Sequence, residues 1–76
     1  MAKFKLGDVV RLKSGGPDMT VTLVCTEESQ SPIETVTYQK SKIAYGLRDA
    51  YYGTSWFEGT DIKRDVFPED MLEFVK

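Results

Sequence analysis

The chain has no histidine and a single cysteine among its 76 residues. Without histidine, the commonest general base and a frequent metal ligand are both missing. Cys25 alone can neither close an internal disulfide nor build a thiolate zinc site. No apolar run approaches the roughly 20 residues of a membrane span, and Met1-Ala2-Lys3-Phe4 has no signal-peptide core behind it. The acids Asp61, Asp65, Glu69 and Asp70 lack the glycine spacing of a calcium loop and read as a solvated edge. These absences argue against an enzyme, predict no cofactor or metal, and favour a cytoplasmic protein held together by packing.

Positive charge is also in short supply, and net charge is −2. The bases are unevenly spread. Residues 1–16 hold Lys3, Lys5, Arg11 and Lys13 against Asp8, and residues 35–48 hold Lys40, Lys42 and Arg48 with no acid. Between them lie only acids, and seven acids face three bases from Asp49 onward. An acidic chain is a poor prior for phosphate binding, which needs clustered Lys and Arg. Lys3, Lys5, Arg11, Lys13, Lys40 and Lys42 form a nucleic-acid surface only if the fold brings them to one face.

What the chain does have is a well-marked hairpin from Phe4 to Leu23. Val10 and Leu12 alternate with Arg11 and Lys13, the period of a strand with one wet face. Ser14-Gly15-Gly16-Pro17-Asp18 suits a tight reversal, with glycine free to take positive φ and Pro17 presetting φ near −65°. Its Gly-rich start lacks the rest of a phosphate-cradling motif and reads as a plain turn. Met19, Val21, Leu23 and Cys25 then alternate with Thr20, Thr22 and Val24, which predicts a second strand with Cys25 as a buried small hydrophobe on the same face.

Met1 to Lys5 reads as a loosely held start anchored by Phe4 and Leu6. Thr26 to Glu34 is acidic, contains Pro32 and reads as a loop. From Thr35 the pattern is ambiguous. Ile43, Leu47, Ala50 and Tyr51 have helical spacing, but Gly46 and Gly53 interrupt and the tyrosines favour strand, so a long twisted hairpin from Thr35 to Phe57 is preferred over a short helix. Glu58-Gly59-Thr60 is a turn. Asp61 to Phe67 is a strand, and the out-of-phase anchors Ile62 and Phe67 predict a bulge or kink near Asp65. Pro68 to Leu72 supports one helical turn at most, before a last short strand over Leu72, Glu73 and Phe74. The fold class is therefore mainly β: one domain, residues 1–76, built as a small antiparallel barrel of five or six short strands with one helical turn before the last.

Two blocks, FKLGDVVRLKSGGPDMTV (4–21) and WFEGTDIKRDVFPEDMLE (56–73), together resemble the YodC-type family of small bacterial proteins of unknown function. Gly7, Asp8, Val10, Leu12, Lys13, Ser14, Gly15, Gly16, Pro17, Met19, Thr20 and Val21 match its opening pattern. Trp56, Phe57, Gly59, Phe67, Pro68 and Leu72 match its closing one. The resemblance implies an SH3-like β-barrel and assigns no activity. Residues 26–51 form a longer, variable segment than the family usually has, and Thr54 stands where a cysteine is usual.

Trp56 and Phe57 are strand neighbours and cannot share one core face. With Trp56 inward, an exposed aromatic patch is expected from Tyr45, Tyr51, Tyr52 and Phe57. Such a patch on a small barrel binds a protein or a nucleic acid. The expected function is a non-catalytic module for protein–protein interaction, with a nucleic-acid- or ribosome-associated barrel as the alternative.

Overall fold

The alternating stretch at the start of the chain becomes β1 (Val9–Leu12) and β2 (Met19–Thr26) in the computed structural model, which describes residues 3–75. Met1 and Ala2, part of the expected loose start, lie outside the described residues. Val9 faces Thr20 and Val10 faces Met19 across the ladder. Gly15 and Gly16 have φ of +105° and +131°, so the reversal rests on backbone conformations that side chains with a Cβ rarely adopt.

Residues 32–45 correct the hairpin expected over 35–57. They form α1 (Pro32–Tyr45), with Pro32 in the first turn, Glu34 near its N-terminus, Lys42 in the last turn and Gly46 (φ +81°) ending it. Each of those signals favours a helix. Gly46 ends the helix instead of interrupting a strand, and Tyr38 and Tyr45 pack from α1 onto Tyr51, so packing overrides their β propensity. The chain then returns as β3 (Ala50–Glu58), turns at Gly59-Thr60, and runs back as β4 (Asp61–Pro68). A 3₁₀ turn at Glu69–Met71 precedes β5 (Leu72–Phe74), which pairs with β1.

The expected mainly-β, antiparallel fold is present as a five-stranded sheet ordered β4-β3-β2-β1-β5. It is open, with β4 and β5 at its two edges. Both faces are covered. One carries the main core of Phe4, Val10, Met19, Val21, Ala50, Tyr52 and Leu72, with Trp56 and Phe67 packed against it. The other lies under α1 and buries Cys25, Tyr38 and Tyr51, flanked by Leu23, Tyr45 and Val66.

A shift in the β2–β3 register between Val21 and Leu23 divides β2 between these cores. Met19 and Val21 enter the main core, while Leu23 and Cys25 face α1. The single face expected for Met19 to Cys25 is thus corrected, because one extra residue inverts the alternation beyond it. The bulge expected near Asp65 is absent, and β3 and β4 pair without a break from Glu58↔Asp61 to Tyr51↔Pro68. Phe67 packs on the main core, whereas Ile62 lies on the opposite face, 56% exposed. Their offset reflects a two-faced sheet rather than a kink.

Candidate interaction surface

The surface of α1 inverts the usual helical pattern. Tyr38 and Ser41 are buried and Tyr45 is half-buried, at i, i+3 and i+7 on the side facing the sheet. The aliphatic residues Ile33, Val36 and Ile43 point the other way, with Ile43 88% exposed, and Leu47 just past the helix is exposed as well. Spacings of three and seven place Ile33, Val36, Lys40 and Ile43 along one stripe. Ordinary amphipathic helices bury such a stripe, whereas this one has no cover among the described residues. The residues at 33, 36 and 43 carry that spacing in the sequence; the Ser31-Pro32 start and Gly46 stop were the signals that could have revealed it.

The four expected patch residues part company. Tyr51 and Tyr52 are fully buried, Tyr45 is half-buried, and only Phe57 stands out, at 72% exposure. The exposed four-ring patch does not form, because α1 covers the face that strand alternation alone left open. The Tyr51 ring meets Tyr38 edge-on at 5.5 Å and stacks on Tyr45 at 6.4 Å. Its hydroxyl donates to the Gly46 carbonyl and accepts the Arg48 N–H, closing the α1–β3 loop. The Tyr45 hydroxyl donates to the Val66 carbonyl at 2.9 Å and pins α1 to β4.

Tyr52 organises the other end of the fold. Its hydroxyl accepts the N–H groups of Lys3 (2.9 Å) and Phe4 (3.1 Å) and donates to Glu69 Oε2 at 2.6 Å. Burial, reinforced by the bond to Glu69, pushes this phenol up to about 12. Burial likewise raises Cys25, fully enclosed between β2 and α1, to about 11. A thiol held so far from its ionised form is a packing group and a poor nucleophile.

Of the six candidate nucleic-acid residues, Lys3 and Lys13 share one groove. Arg11 on β1 is bonded to Glu73 of β5 at 2.7 Å. Lys3 and Lys13 line a groove with Arg48, but Asp49, Glu69 and Asp70 line it too, and Arg48 is paired with Asp70 at 3.1 Å. Lys5 is at the chain start, with its backbone N–H bonded to Asp8. Lys42 lies over the Tyr38 ring, 5.6 Å from its centroid, and Lys40 is on the outer side of α1. A concavity of about 560 Å³ between the β2–α1 and α1–β3 loops is lined by Glu27, Glu28 and Asp49 together with Arg48 and Leu47. Among the described residues, no three His, Cys, Asp or Glu side chains come together as a metal site would require, and no helix is long and apolar enough to cross a membrane.

No curated protein and no solved structure matches the chain. A family described as "Uncharacterized small protein (DUF2158)" matches residues 5–72, a span that runs through both sequence blocks and through α1. With nearly its whole length matched, the chain belongs to that family.

Proposed function

We propose that this chain is a small non-catalytic binding module that acts by protein–protein contact in the cytoplasm, with the outward stripe of α1 as its docking surface. The observation that carries the reading is the inverted helix: aliphatic side chains at Ile33, Val36 and Ile43 face solvent while tyrosine and serine face the sheet. A partner that fits presents an apolar surface with a carboxylate opposite Lys40, which sits within the stripe. A second copy fits poorly, since pairing Val36 with Ile43 of another α1 about a two-fold axis brings the two Lys40 residues together. Acids interleaved with the bases support this reading over a nucleic-acid one. The return of β5 to β1 and the two sequence blocks support a further reading of the family as the bacterial YodC type, with an SH3-like sheet.

Affinity capture from a nuclease-treated extract of the native host tests this, with each retained protein identified by mass spectrometry. A specific partner should be held by the parent and lost by Ile43→Asp and by Lys40→Glu, both with unchanged far-UV CD. Equal retention by all three, or retention abolished by the nuclease, overturns it.

A further inference from the structure

The β4 edge of the sheet is half sealed and half open. Val66 is sealed by side chains: its N–H donates to Asp65 Oδ1 at 2.7 Å, and its carbonyl accepts the Tyr45 hydroxyl. Pro68 has no N–H to offer. These bonds show that the Val66 backbone points away from β3. In an antiparallel ladder, that orientation alternates with period two, so the backbone groups of Ile62 and Arg64 also point outward. The tight Glu58↔Asp61 closure at Gly59-Thr60 gives the same phase. Asp61 to Asp65 are all exposed, and among the described residues no helix or strand covers Ile62 or Arg64.

We propose that β4 pairs antiparallel with β4 of a second copy about a two-fold axis at Ile62. The charges select that register. With Ile62 opposite Ile62, Asp61 of each chain faces Lys63 of the other, two opposite-charge pairs across a non-hydrogen-bonded site. Moving the axis to Lys63 sets Lys63 against Lys63 and Asp61 against Asp65. Moving it to Arg64 sets Arg64 against Arg64 and asks the sealed Val66 to pair. On the other face, Phe57 is the cross-strand neighbour of Ile62, and both are exposed. The two-fold therefore extends them into a row Phe57–Ile62–Ile62–Phe57 across the joined sheets. Alternating charge on an edge normally discourages pairing with a foreign strand. Here it rejects most strands and accepts its own, and the Val66 seal limits the contact to the hairpin tip. This surface is separate from the α1 stripe, and either can fail without the other.

Sedimentation equilibrium of the purified chain across a concentration series decides the matter. The expected result is a reversible dimer of 8.6 kDa chains, with the Ile62 and Arg64 amides gaining hydrogen-exchange protection as concentration rises. Asp61→Lys and Lys63→Asp should each weaken the dimer about tenfold, since one substitution acts twice across a two-fold. The double variant should recover parental affinity. Ile62→Pro, which removes an outward N–H and leaves the β3 ladder intact, should abolish dimerisation without changing the CD spectrum. A monomer at about 1 mM, where even a millimolar Kd shows, overturns the proposal. So does a dimer insensitive to the charge reversals, or one that the double reversal fails to restore.

Discussion

Tyr51 and Tyr52 are consecutive residues of β3, and both are fully buried because they enter two different cores on opposite faces of one sheet. A sheet covered on one side hides only every second residue. Here α1 supplies the second cover, and each ring brings a hydroxyl to the rim of its core, where backbone groups need partners. Tyr51 closes the loop after α1, and Tyr52 ties the chain start to the 3₁₀ turn. Phenylalanine would fill both spaces and leave both loops loose.

Tyr52→Phe should therefore destabilise the fold by about 1–3 kcal/mol, since the buried Phe4 N–H is left without an acceptor. Urea unfolding reads this directly as a lower midpoint at unchanged slope. An unchanged midpoint would show that the hydroxyl hub contributes nothing.

Stability should decline in alkali. Tyr52 is raised from 10.0 to about 12 and Cys25 from 9.0 to about 11, so both hold their protons more tightly in the folded chain. Their contribution is complete below pH about 9 and is lost as pH rises through the folded values. Urea midpoints measured from pH 7 to about 12 should fall in that window, and Tyr52→Phe should flatten its upper part. A parental profile level to the top of the range would contradict the burial argument.

Glycine substitutions should separate two causes. Gly15→Ala and Gly16→Ala should each cost about 1 kcal/mol through positive φ alone, as a Cβ at either meets open space. At Gly53 a Cβ would lie 2.8 Å from the Leu23 Cβ, where the irregular register of β2 brings the strands together. Gly53→Ala should cost more, about 1–3 kcal/mol, because backbone must move. Thermal melts ranking Gly53→Ala as the mildest of the three would refute the close approach.

The two sides of α1 should respond in opposite ways. Tyr38→Ala empties the space beneath the helix and should cost about 3–5 kcal/mol. Ile43→Ser, on the outward stripe, should stay within about 0.5 kcal/mol of the parent. Comparable losses in denaturant melts would mean that Ile43 is packed, and the inverted helix would lose its meaning.

The sequence by itself determined the local geometry: the Gly15-Gly16 reversal, the Gly59 hairpin turn, the Pro68 turn before β5 and the strands between them. Those features depend on φ preferences and period-two alternation, which neighbouring residues impose on one another. It also marked Cys25 as buried and Phe57 as outward. Tertiary structure decided what covers each face. The helix at 32–45 ranks below a hairpin in the sequence because its buried side is Tyr38, Ser41 and Tyr45, while its aliphatic residues face solvent, so the apolar pattern marks the wrong side. The β2 register shift left no mark in the alternation of Met19 to Cys25, since it exists only in relation to β3. Burial of Tyr51 followed from α1 and could not be read from its own strand. Whether a side chain is core or surface depends on what packs over it, and residues distant in the chain decide that.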